Sequence, residues 1–302
     1  MPDTRSTRQK LVLAGVLLIL GGIIVFQSLR PADRVDLAKA EMNIFSQTGE
    51  DGVLQAIFSI IAPTSRYAVE FGCGDGLRLS NTRNLLVNYG WSGLLMDGDH
   101  AKIEKAKQSY QGFPRVKVVE AWVFPGNVET LFEQHGVATD VDLVSIDIDS
   151  NDYYVWRVMH DYRPKVVLIE YNAGFPPPKK AVVAFHPLNY WDGSDYHGAS
   201  IQSLYELGKK KGYELVYATS WGTNLFFVDK KYFARFGITD NSPAKLYRMP
   251  HGGVPGLGRA PNRGGHPSTD YELESDGKKT KPFAGDLIWK EIRIPKRFME
   301  LP

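Results

Sequence analysis

In YAVEFGCGDG (67–76) a carboxylate, Glu70, sits inside an apolar, β-prone run, and glycines follow at positions 72, 74 and 76. Glycines at that spacing directly after a strand let the backbone turn sharply and approach a ligand closely. The chemistry open to such a turn is binding of a nucleotide-like molecule at the carboxyl edge of a sheet. The dinucleotide pattern GxGxxG would need glycine at position 77, where Leu77 stands. Gly72, Gly74 and Gly76 therefore belong to a different loop.

A second concentration of chemistry lies in SIDIDSNDYYVW (145–156). Asp147, Asp149 and Asp152 crowd the end of one apolar run, and Glu170 with Asn172 ends the next. In a doubly wound sheet both ends border the ligand crevice. Carboxylates converging there repel one another unless protonated, solvated or bridged by a cation, and oxygen ligands of this kind suit Mg2+ or another divalent cation. Such an ion could hold the paired hydroxyls of an acceptor and lower a hydroxyl pKa. The plainer alternative gives Asp149 and Asp152, with Ser150 and Asn151, to the capping of a helix at 151–160. Asp149 and His197 are the candidate catalytic groups. His197, just before Gly198-Ala199-Ser200, stands where a proton acceptor could enter the crevice, and His186 is a second candidate. Phe185, Tyr190, Trp191 and Tyr196 suit stacking on a sugar or aromatic acceptor, and equally a loop packed on itself.

The pattern E-x-G-x-G-x-G resembles the first motif of class I S-adenosylmethionine (SAM)-dependent methyltransferases. That resemblance implies that Gly72, Gly74 and Gly76 make room for the cofactor's methionine part. It implies that Glu70 holds the amino group directly or through water, and that Asp97, ending GLLMD (93–97), accepts from both ribose hydroxyls. Asp147 is counted with the cofactor contacts as well. With FSQTGEDG (45–52), LLMDGD (94–99) and VLIEYN (167–172), residues 43 to 230 resemble the FkbM-like methyltransferases. The resemblance implies O-methylation of sugars, polyketides and similar hydroxylated metabolites, and it puts Gln47 and Glu50 near the cofactor. The DID run is also similar to the DGD run of metal-dependent macrocin O-methyltransferase-like enzymes. Ile148 replaces its glycine, and Glu170-Tyr171 stand for the usual paired aspartates. No NPPY-type motif follows the fourth strand, so a nucleobase amino group is not the expected acceptor.

These residues need a scaffold, and the hydrophobic pattern supplies one. Strands are expected at 67–71, 93–97, 116–121, 141–147 and 165–171, with helices between them, Ser80 and Asp99 serving as helix caps. A turn and amphipathic helix at 46–61 precede them. A helix at 199–211 and a hairpin of strands 213–219 and 223–228 follow, joined by SWGT. The expected fold is α/β: a doubly wound, mostly parallel seven-stranded sheet of the class I methyltransferase-like Rossmann type.

The 302 residues carry 36 Lys and Arg against 34 Asp and Glu, a net charge of +2, so no nucleic-acid partner is expected. The single cysteine, Cys73, excludes an intramolecular disulfide. Residues 11–26 hold no charge, and the apolar run extends to 29, which suggests a single-pass signal anchor and membrane localisation. Arg5, Arg8 and Lys10 before it balance Arg30, Arg34 and Lys39 after it, which leaves only a weak lean towards a cytosolic N-terminus. The expected order is a tail (1–10), the anchor (11–29), a linker (30–42), the methyltransferase-like domain (43–239) and a Gly/Pro-rich extension (240–302). Two rival readings stand beside this one. Asp147-Ile148-Asp149 has the DxD spacing of nucleotide-sugar glycosyltransferases, and the same fold could serve as a tethered, non-catalytic binding module.

Overall fold

The computed structural model describes residues 36–185, 196–249 and 271–272. Strands β1 (Tyr67–Phe71), β2 (Ser92–Asp97), β3 (Val116–Glu120), β4 (Leu143–Ile146) and β5 (Val166–Glu170) run parallel. A two-residue strand, β6 (Val182–Val183), pairs apart from them with β9 (Tyr271–Glu272). Strands β7 (Tyr213–Ala218) and β8 (Asn224–Asp229) form an antiparallel hairpin, and β8 lies antiparallel to β5. The large sheet has the order β3-β2-β1-β4-β5-β8-β7. It is the expected seven-stranded, mostly parallel sheet. The order reverses between β1 and β4, so a crevice opens at the carboxyl ends of those two strands.

Alternation along each strand explains why the apolar runs are nearly unbroken. Val69, Leu94, Val144, Val167 and Phe227 face one core with α4 (Val128–Gln134), α5 (Asp152–Val158) and α6 (Ile201–Lys211). Ala68, Leu95, Leu143, Leu168 and Phe226 face the other, with α1 (Glu50–Ile61), α2 (Arg83–Asn88) and α3 (His100–Ser109). By the same period of two, Glu70, one residue before the end of β1, and Glu170, the last of β5, lie on the second face. Short helices α7 (Lys230–Phe233) and α8 (Pro243–Leu246) complete the fold.

Asp99 caps α3 as expected, accepting from Ala101 and Lys102 N–H. Ser80 Oγ accepts from Arg83 N–H at 3.2 Å, so the expected cap reaches α2 from three residues before its start. The helix begins at Arg83, because residues 80–82 are drawn around Glu70. The folded body also exceeds the boundaries 43 and 239. Leu37 is buried, and Glu41 accepts from Tyr217 OH and Ser220 N–H. Beyond α8, Tyr247 OH donates to the Ala173 carbonyl. Among the described residues no helix is long and apolar enough to cross a membrane. The tail 1–10 and expected anchor 11–29 lie outside those residues, as do His186, Tyr190, Trp191 and most of 250–302.

Candidate active site at the carboxyl edge of the sheet

The glycine turn is held from two sides. Gly72 lies in the left-handed region at φ +67, and a Cβ there would run into the carbonyl oxygen of Asp147. Only glycine lets the turn after β1 press against the end of β4. Gly74, at φ +56, is different: a Cβ would meet nothing within 4 Å, so the turn is open to a ligand at that point. Its N–H donates to Asp97 Oδ2 at 2.9 Å, while Asp97 Oδ1 accepts from Asp99 N–H at 2.9 Å. Asp97 thus pins the turn to the end of β2, and each oxygen keeps a lone-pair direction for a ligand hydroxyl.

Glu70 serves its own chain. Its Oε2 accepts from the Ser80 hydroxyl at 2.7 Å and the Thr82 hydroxyl at 2.6 Å, and Oε1 accepts from Asn81 N–H at 2.6 Å. Burial pushes its carboxyl above the usual range, and these hydrogen bonds pull part of the way back. Three of its acceptor directions are occupied within the chain. These bonds organise residues 80–82 around the end of β1.

At the ends of β4 and β5, one carboxylate oxygen each from Asp147, Asp149 and Glu170 lie within 4.8 Å of one another. Asp149 is held in the left-handed region, at φ 63, a conformation uncommon for a non-glycine residue. Asp152, expected to join them, stands outside this group. Its Oδ1 accepts from Ile148 N–H at 2.8 Å and fastens the turn before α5. Burial first, and then Glu170, raises its pKa to about 7. Asp147 is pushed well up by burial and by Glu170, Asp149, Asp152 and Glu70 in turn. His197 is buried with Nδ1 3.5 Å from Glu170 Oε2, and its carbonyl accepts from Asn172 Nδ2. Asp147, Asp149, Asp152, Glu170 and Glu70 thus crowd one edge, with His197 beside Glu170 alone. Such an excess is relieved by bound protons or by a cation, and the all-oxygen set of three fits a hard divalent ion.

Several residues had no place in the sequence argument. Asn81 and Thr82 answer Glu70, together with Ser80, which was expected only as a helix cap. Arg83 lies between the rings of Phe45 (5.1 Å) and Tyr110 (4.9 Å) and donates to the Gly76 carbonyl at 2.7 Å, clamping the glycine turn. Trp122, half exposed after β3, covers Gly98 so closely that a Cβ there would enter its ring. Glycine at 98, directly after Asp97, was the available signal. Where described, the aromatic loop packs on α5, with Phe185 edge-on to Tyr154, and on itself, with Tyr196 OH accepting from Ala184 N–H. Glu50 accepts from Thr48 and Asn224, tying the segment before α1 to β8.

No family model matches the chain, and no curated protein matches it. Solved structures with similarity include the CurJ carbon methyltransferase, at 10% identity and TM-score 0.39, over 59% of this chain and 52% of that one. The N-terminal domain of EvdMO1, solved in the presence of S-adenosylhomocysteine (SAH) and D-fucose, gives 14% and 0.38 over 66% and 97%. A SAM-dependent methyltransferase from Clostridium acetobutylicum gives 11% and 0.37 over 70% and 97%. The chain spans about half of the first of these. Likeness this remote carries no inference about activity.

Proposed function

We propose that this chain is a SAM-dependent methyltransferase, akin to the FkbM-like enzymes, acting on a hydroxyl of a small molecule or glycan. The observation that carries the reading is the opening at Gly74, set between the ends of β1 and β2 and pinned by Asp97. Gly74 gives the cofactor access to the backbone, Asp97 takes the ribose hydroxyls, and Trp122 offers a flat face beside them. Transfer breaks the donor's S–CH3 bond, forms an O–CH3 bond and releases the hydroxyl proton. His197 accepts that proton, and Glu170 beside Nδ1 stabilises the resulting imidazolium. Asp147, Asp149 and Glu170 would hold a divalent cation, which supplies Lewis acidity towards the acceptor oxygen. Tethering to a membrane through residues 11–29 belongs to the same proposal.

Calorimetric titration of the full chain in mild detergent with SAM and SAH, with and without Mg2+, tests the cofactor. Asp97→Ala should weaken binding by about 100-fold, the worth of charged hydrogen bonds to two hydroxyls. Gly74→Val should block binding while the protein stays folded. Normal affinity in both variants would remove the site assignment. A glycosyltransferase would use the same acids at Asp147-Ile148-Asp149, yet it leaves the Gly74 opening and Asp97 without a task. Binding of a UDP-sugar in place of SAH would favour it.

A further inference from the structure

Among the described residues, two side chains with a full positive charge are buried, Lys165 and Arg83. Lys165 meets Asp142 at 3.2 Å, before the start of β4. Arg83 has no acidic partner at ion-pair distance among the described residues. Its Nη1 donates to the Gly76 carbonyl, and its Nε is buried without a hydrogen bond. The guanidinium is planar and rigid. With Nη1 committed to the glycine turn, the edge formed by Nε and Nη2 is left, and two parallel N–H groups on that edge match a carboxylate.

Tyr110 adds a separate observation. Its hydroxyl is also buried without a hydrogen bond, and Arg83 Cζ lies 4.9 Å from its ring centre. The ring packs on the same glycine, since a Cβ at Gly76 would come within 2.8 Å of Tyr110 Cε2. Burial first, and then Glu70, raise the pKa of this hydroxyl, so it keeps its proton and stays a donor. Glu70 also fixes where the set stands. It gathers Ser80, Asn81 and Thr82, and Ser80 Oγ then accepts from Arg83 N–H at 3.2 Å. An unmet buried donor is costly, and a buried charge without a counter-ion more so. One planar anionic group answers both.

We infer that Arg83 and Tyr110 hold the α-carboxylate of the cofactor's methionine part, and so select a donor whose amino-acid end is intact. The inference rests on the methyltransferase reading and deepens it. Gly74 and Asp97 serve the nucleoside half of the ligand and offer no charge to a carboxylate. The acids at the ends of β4 and β5 would repel one. A buried cation on the β1 side of the turn is therefore where that group finds its partner. A guanidinium kept only to clamp Gly76 would be indifferent to the ligand's carboxylate, and this difference separates the two roles.

Calorimetry of the full chain in mild detergent compares SAH with S-adenosyl-3-thiopropylamine, which keeps the adenosine, sulfur and amine and lacks the carboxylate. The unsubstituted protein should bind SAH about 30-fold more tightly than the amine. Arg83→Gln should narrow that preference to within about threefold, and Arg83→Lys, which keeps the charge, should restore part of it. Tyr110→Phe keeps the ring on Gly76 and should lower the preference about fivefold, and it decides the matter if a thermal melt shows Arg83→Gln unfolded. A preference unchanged in Arg83→Gln, or in Tyr110→Phe where Arg83→Gln does not stay folded, would overturn the inference and leave Arg83 a clamp alone. SAH bound no better than the amine by the unsubstituted chain would overturn it too, with the methyltransferase reading still standing. Binding of neither ligand would remove that reading, and this assignment with it.

Discussion

Replacing Asp152 by asparagine isolates the electrostatic cost of the acidic edge. The side chain is buried, and its Oδ1 accepts from Ile148 N–H, a task an amide oxygen keeps. Burial and Glu170 lift its pKa from 3.8 to about 7. An acid with a raised folded pKa holds its proton more tightly when folded. Its contribution therefore favours folding at low pH, and that advantage is lost as pH climbs from about 4 to about 7. A shift of about three units, at roughly 1.4 kcal/mol each, amounts to about 4 kcal/mol. Asp152→Asn stays neutral throughout. It should match the unsubstituted protein near pH 4 and exceed it by about 4 kcal/mol above pH 7. Asp147 feels the Asp152 charge, so its own relief acts in the same direction. Urea unfolding in mild detergent and chelator, repeated across this pH range, reads the difference. Parallel stability curves for the two proteins would refute the electrostatic reasoning.

Gly72→Ala forces a methyl group towards the Asp147 carbonyl at a left-handed φ. It should cost more than about 2 kcal/mol, lowering Tm by roughly 5 °C in a thermal melt. An unchanged Tm would mean the β1 and β4 turns are not pressed together. Mg2+ at about a hundredfold excess over its Kd should stabilise the unsubstituted protein by about 2.7 kcal/mol at neutral pH. Asp149→Ala should abolish that gain while leaving SAH affinity within about threefold. A gain that survives the substitution would remove Asp149 from the cation site.

The strand positions were readable because strands buried on both faces show as largely apolar runs, such as VDLVSI before Asp147 and KVVLIE up to Glu170. The hairpin at the sheet's end was readable from SWGT between two such runs. The place of the acids was readable too, since strand ends fall at one edge of a parallel sheet. What each acid touches was not. Glu70 and Glu170 lie at or near the ends of their strands on the same face, and residue type gives no reason to separate them. Folding does separate them: Glu70 is wrapped by Ser80, Asn81 and Thr82, whereas Glu170 lies beside His197 across a long loop. Asp152 makes the point within four residues. Its spacing after Asp147 and Asp149 suits a third ligand, yet the turn left Ile148 N–H in need of an acceptor, and Asp152 supplies it. A buried backbone donor left unmet costs about 1–3 kcal/mol, comparable with what a ligand position would contribute. That local need was invisible until the turn had a shape, which is why Asp152, expected among the acids of a cation site, fastens the turn instead.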